Sequence, residues 1–143
     1  MNSDDRRGDY VVVDTSALYA LISSNARFHT RARNILQELL DGGSELWVCS
    51  YVLAEFGAIV KNRFGFKPLE TFLDSQKELL QVIWVVEALH TEAWAEFAAR
   101  EGIGPNFVDW VVIVAAKYLR ARIFTFDSDF ESVGADVMPP SGR

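Results

Sequence analysis

The chain has 143 residues, 50% of them hydrophobic and 24% charged, which excludes wholesale disorder and fits one domain with a core that needs no staples. Its formal net charge of −6 argues against sequence-blind binding to bulk DNA, which runs on Lys and Arg at phosphates, though it leaves room for a local basic rim. A single cysteine, Cys49, rules out an intrachain disulfide, and with only His29 and His90 as histidines the chain is poor in zinc ligands.

Met1 to Asp9 is polar and mixed in charge, without the basic start and apolar stretch of a signal peptide. No apolar run approaches the roughly 18 residues of a membrane span; the longest is Trp110 to Ala116. The expectation is a soluble cytoplasmic protein with no membrane contact. Met1 to Gly8 and Pro139 to Arg143 read as flexible tails, leaving a single domain over residues 9–138.

Tyr10 to Val13 is apolar without alternation, as a strand buried on both faces would be. Ser16 to Ile22 reads as a short helix. Phe28 to Leu40 carries Ala32, Ile35, Leu36, Leu39 and Leu40 at helical spacing, stopped by Asp41-Gly42-Gly43. Leu46 to Cys49 is a second buried strand. Ser50 is placed to cap a helix from Tyr51 to about Arg63, broken near Gly65. Pro68 to Leu80 reads as a helix, Val82 to Val86 as a third strand, Thr91 to Arg100 as a helix ending at Gly102. Phe107 to Arg120 is a long apolar helix, Arg122 to Phe126 a fourth strand, and Ala135 to Met138 a short edge strand. Strands alternating with helices predict an α/β fold: a mostly parallel twisted sheet of four or five strands flanked by helices. Such sheets bind ligands at the carboxyl ends of their strands, near a switch in strand order.

Four carboxylates stand in apolar surroundings. Asp14 directly follows the first strand and is the only charge between Tyr10 and Asn25. Glu55 is the only charge between Leu46 and Val60. Asp109 is alone between Phe107 and Ala116. Asp127 follows the strand Ile123 to Phe126, with Asp129 two residues on. An apolar setting costs a carboxylate several kcal/mol unless something compensates it. Each has an ordinary reading. Asp14 can cap the next helix, Asp109 can sit on a helix dipole, and Asp127-Ser128-Asp129 can be a turn. Glu55 has the weakest such reading, with no Lys or Arg three or four residues away. Read jointly, all four can meet at one edge of a parallel sheet. Clustered carboxylates raise one another's pKa, and the natural remedy is a hard divalent cation on oxygen ligands, Mg²⁺ or Mn²⁺. An open carboxylate cage of that kind suits phosphoryl chemistry. There is no phosphate-binding Gly-rich loop ending in Lys-Ser/Thr and no Gly-x-Ser-x-Gly elbow.

Four segments resemble the successive motifs of PIN domains. They are Val12-Val13-Asp14-Thr15-Ser16-Ala17-Leu18, Ser50-Tyr51-Val52-Leu53-Ala54-Glu55, Phe107-Val108-Asp109-Trp110 with the apolar run to Ala116, and Phe124-Thr125-Phe126-Asp127-Ser128-Asp129-Phe130. The resemblance spans Tyr10 to Phe130 and is nearest to the small PIN proteins typified by VapC toxins. It implies a PIN-like domain and a metal-dependent endoribonuclease that cuts single-stranded RNA to leave a 5′-phosphate and a 3′-hydroxyl, as the toxin of a VapBC-like pair. It implies Asp14 and Asp109 as direct Mg²⁺ or Mn²⁺ ligands, Asp127 as a ligand directly or through water, and Glu55 as the group that orients or deprotonates the water. Asp129 would assist. Ser16 and Thr125 would steady a carboxylate or a metal-bound water, and Trp110 and Phe126 would narrow the site. A homodimer and an antitoxin protein laid across the cleft are the implied partners beside RNA.

Candidate phosphate contacts are Arg27, Arg31 and Arg33 around His29, and Lys61, Arg63 and Lys67 after the Glu55 helix; for each, a solvated helix face is the competing reading. Phe64 and Phe66 are candidates for stacking on bases or for a protein contact, and the apolar faces of Tyr51 to Phe66 and Pro68 to Leu80 for partner surfaces. The alternative from another class is a PIN-like nucleic-acid-binding or scaffold protein without turnover. A phosphoaspartate enzyme is disfavoured, because Ser16 stands where a second Asp is usual.

Overall fold

The computed structural model describes residues 9–139, so the expected tail over residues 1–8 and nearly all of the one at the other end lie outside the described residues. Five strands, β1 (Tyr10–Val13), β2 (Glu45–Cys49), β3 (Leu80–Ile83), β4 (Arg122–Phe124) and β5 (Val137–Met138), form one sheet in the order β3-β2-β1-β4-β5. Every pairing is parallel, with Val12 opposite Trp47 on one side and Ile123 on the other. The helices are α1 (Thr15–Ile22), α2 (His29–Asp41), α3 (Ser50–Phe64), α4 (Phe66–Gln76), α5 (Glu87–Ala99), α6 (Phe107–Leu119) and the short α7 (Asp129–Ser132). The expected α/β class and sheet are borne out.

β1 and β4 are central and read as unbroken apolar runs because both faces are covered. Val11, Val12, Val13, Ile123 and Phe124 are all fully buried. On α6 the seven residues from Trp110 to Ala116 are buried together, so this helix is apolar nearly all round and runs through the core. The chain steps outward from β1 to β2 and β3, then returns to lay β4 on the other side of β1. That reversal opens a crevice at the carboxyl ends of β1 and β4.

Several boundaries differ from the sequence reading. Ser50 is the first residue of α3 rather than its cap; Cys49 holds the cap position, and Ser50 Oγ accepts from the Val85 amide at 3.0 Å, tying α3 to the end of β3. The helix expected over Pro68 to Leu80 begins at Phe66 and ends at Gln76. Pro68 fits its first turn, where an amide needs no partner, and Leu80 already belongs to β3 rather than to the strand expected from Val82. α5 starts at Glu87, ahead of Thr91. β4 stops at Phe124, freeing Thr125 to Asp127 to turn into the crevice. Among the described residues no helix is long and apolar enough to cross a membrane.

Candidate active site

Asp14 leaves β1 at the crevice and caps α1: its Oδ1 accepts from the Ala17 amide at 3.1 Å and from Ser16 Oγ at 2.7 Å. Its Oδ2 accepts from Thr125 Oγ1 at 2.7 Å. The same two hydroxyls hold the end of β4. Ser16 Oγ accepts from the Phe126 amide at 2.9 Å, and Thr125 Oγ1 from the Asp127 amide at 3.0 Å. Each hydroxyl has one proton, and both protons are spent on Asp14. This small network orients Asp14 and places Asp127. Asp14 is almost completely buried, and burial pushes its pKa up to about 6 against the three hydrogen bonds, with the like charge of Asp127 adding to the rise.

Asp109 arrives from the first turn of α6. Its Oδ2 accepts from the Asn106 amide at 3.0 Å, and its own amide donates to Asn106 Oδ1 at 2.8 Å, a reciprocal cap. Burial, with the like charges of Asp14, Asp127 and Glu55, lifts its pKa to about 7 against the Asn106 hydrogen bond. Glu55, half-buried on α3, has its Oε1 held by Thr15 Oγ1 at 2.6 Å. Asp127 Oδ1 accepts from the Asp129 amide at 2.9 Å.

All four predicted acids therefore face one cleft of about 610 Å³, which Thr15, Tyr19, Arg27, Phe28, Asn106 and Phe126 also line. Among the described residues none of the four is in an ion pair. Clustered carboxylate oxygens that lack a cationic partner fit a hard divalent cation. Among the described residues, however, no three acidic, histidine or cysteine side chains are arranged to hold a metal ion as they stand. The fit lies in the donor chemistry, four carboxylates on one cleft.

Ser16 and Thr125 both donate to the Asp14 carboxylate. Asp129 does not line the cleft: its carboxylate is exposed at the start of α7, and its contribution is the amide that holds Asp127. Trp110 is a correction, since it is 2% exposed in the core with Arg100 over its ring at 4.3 Å and narrows nothing. Phe126 does line the cleft, stacked on Phe28 at 4.6 Å. His29 is structural: its Nδ1 donates to the Ala20 carbonyl at 2.8 Å. Of the basic candidates only Arg27 lines the cleft. Arg33 faces a separate cavity beside His29, and Arg63 reaches the wall only through the Tyr19 ring, 5.8 Å away. Thr15 and Asn106 escaped the sequence reading, although Thr15 lies inside the Asp14 motif and Asn106-x-x-Asp109 has the spacing of a reciprocal cap.

Residues 11–136 match the PIN domain family. No curated protein matches the chain. Among solved structures the chain is similar to VapC20 from Mycobacterium tuberculosis, described as a toxin that cleaves the sarcin–ricin loop, with a TM-score of 0.75, 20% identity, and coverage of 87% of this chain and 95% of that one. It is similar to VapBC2 from Rickettsia felis, bound to a DNA fragment from its promoter, with a TM-score of 0.69, 20% identity and coverage of 90% and 96%. It also resembles FitAcB from Neisseria gonorrhoeae, with a TM-score of 0.65, 16% identity and coverage of 89% and 95%. At these identities the solved structures bear on the fold.

Proposed function

Because the chain belongs to the PIN domain family, we propose that it is an Mg²⁺- or Mn²⁺-dependent endoribonuclease acting on single-stranded RNA, and the toxin of a VapBC-like toxin–antitoxin pair. One observation carries this reading: four acids from four separate parts of the chain line one cleft among apolar walls, with no cation paired to any of them among the described residues. The neighbour described as cleaving the sarcin–ricin loop supports an RNA substrate. The paired name VapBC2 supports an antitoxin partner, and the exposed Ile59, Phe64 and Phe66 offer it apolar contact. We place the nuclease domain at residues 9–138, working in the cytoplasm as a homodimer.

In this reading Asp14 and Asp109 hold the ion, and Asp127 joins them directly or through water. The bound ion would polarise the phosphate and offset charge on the leaving oxygen. Glu55, fixed by Thr15, orients the attacking water and takes its proton. Water adds to phosphorus, the P–O3′ bond breaks, the departing O3′ takes a proton from solvent, and the products are a 5′-phosphate and a 3′-hydroxyl. Ser16 and Thr125 are positioning residues, acting through Asp14.

The purified protein is expected to cleave an unstructured RNA with Mg²⁺ or Mn²⁺ and to stop on chelation. Asp14→Asn and Asp109→Asn are expected to lower kcat at least a hundredfold, on the scale of losing a general acid–base or electrostatic group. Undiminished cleavage by both variants would overturn the reading. Folded wild type that binds RNA without cutting it under any divalent cation would instead favour the binding or scaffold role.

A further inference from the structure

Arg27 stands in an unusual place. It lines the cleft shared by four carboxylates, yet among the described residues it forms no hydrogen bond or ion pair with any of them. Its guanidinium lies over the Phe28 ring instead, 5.0 Å from the centroid. Phe28 is in turn stacked on Phe126, with ring centroids 4.6 Å apart and planes 2° from parallel, and Phe124 meets Phe126 edge-on at 5.8 Å. Arg27, Phe28 and Phe126 lie against one another along the wall of the cleft, and Arg27 is the exposed end of the row.

The segment carrying this stack is pinned. The Ala26 amide donates to Ser23 O at 3.0 Å and the His29 amide to Ala26 O at 3.1 Å. His29 Nδ1 ties the turn to α1 through Ala20 O. The backbone that carries Arg27 and Phe28 is thus set in advance, which limits the freedom lost when the guanidinium binds a phosphate.

Electrostatics supplies the need. Even with one divalent cation among them, four ionised acids leave the cleft net negative towards a polyanion, and Arg27 is the one cationic side chain lining it among the described residues. A guanidinium lying over a ring keeps N–H groups for phosphate oxygens and a side open to a second π-system. Stacking of that kind accepts any base that is not already paired.

We propose that Arg27 is the substrate-positioning residue of the cleft, holding an RNA phosphate beside the bond to be cut on its N–H edge while the adjoining unpaired base stacks on its outer face. This rests on the ribonuclease reading and deepens it: Arg27, with the Phe28–Phe126 pair behind it, restricts the substrate to unpaired RNA.

The test is steady-state kinetics of the full chain with Mn²⁺ on an unstructured RNA oligonucleotide, with Mn²⁺ affinity measured separately. Arg27→Gln is expected to raise KM about tenfold with kcat within twofold, to leave Mn²⁺ affinity unchanged, and to reduce the salt slope of log kcat/KM by about 0.7, one single-strand phosphate contact. Arg27→Lys should restore the salt slope but not KM, since it returns the charge without the plane. Lys117→Gln, at the far end of α6 from Asp109, should change nothing, and the same oligonucleotide annealed to its complement should resist cleavage. Wild-type cleavage with an Arg27→Gln variant of unchanged KM and salt slope would overturn this proposal and leave the ribonuclease reading intact. Full rescue by Lys would remove the stacking half, and loss of Mn²⁺ affinity would make Arg27 structural. A wild-type chain that neither binds Mn²⁺ nor cuts RNA removes both readings.

Discussion

Asp14 shows why a buried acid can be tolerated at this position. It accepts three hydrogen bonds and still titrates near 6, because burial outweighs them. Asp109, near 7, is raised for the same first reason. The sign of the resulting pH dependence is fixed. A carboxylate whose pKa is higher in the folded than in the unfolded chain binds more protons when folded, so its stabilising effect is present at low pH and lost as pH rises through the folded value. The metal-free protein is therefore expected to lose stability between pH 4 and 7, by about 3 kcal/mol for Asp14 alone at roughly 1.4 kcal/mol per unit. Thr125→Val deletes a hydrogen bond to the charged form and should carry the Asp14 end of that window upward. Urea unfolding across this range in chelator checks both. A stability that rises from pH 4 to 7 would contradict the assignment.

Elements follow from the sequence where the physics is local. β1 matches its apolar run Tyr10 to Val13 end for end, and α6 differs from the expected helix by one residue. The errors cluster where two rules compete. Leu79 and Leu80 extend the helical apolar pattern of α4, but Leu80 pairs with Leu46 of β2, a contact with no local trace. Thr125 and Phe126 read as strand, yet after the Thr125 amide, which still donates to Met138 O, the next two amides, of Phe126 and Asp127, donate to the hydroxyls of Ser16 and Thr125. Asp14, Glu55 and Asp109 are legible because each stands alone in an apolar run, and Asp127 because it directly follows one. Their hydroxyl partners were legible only beside them, in the motifs. Arg27 looked like one of several basic residues, since its selection depends on the turn that carries it. The glycines of the α3–α4 hairpin make an opposed pair of predictions. A Cβ at Gly57 would meet Leu69 at an ordinary 3.8 Å, so Gly57→Ala is expected to stabilise α3 by about 0.5–1 kcal/mol through helix propensity. Gly65 has φ +99° at the junction of α3 and α4, where Gly65→Ala is expected to cost about 1 kcal/mol or more. Urea midpoints moving the same way in both would contradict this.

For the whole molecule, strand order is what converts scattered acids into a site. Because the sheet runs β3-β2-β1-β4-β5, the ends of β1 and β4 are neighbours, and Asp14 meets Thr125 across 111 positions of chain. α3 and α6 bring Glu55 and Asp109 to the same opening. The proposed function turns on whether these four acids, which line one cleft, bind a hard cation. The most direct measurement is calorimetric titration of the chain with Mn²⁺ at pH 6.5, in buffers of different ionisation heat, for wild type, Asp14→Asn and Asp109→Asn. Ion binding must displace the protons that the raised pKa values of Asp14 and Asp109 retain. The account predicts saturable binding with proton release in the wild type, and affinity at least tenfold lower in each variant. No binding by the folded wild type, or equal binding by all three proteins, would contradict it.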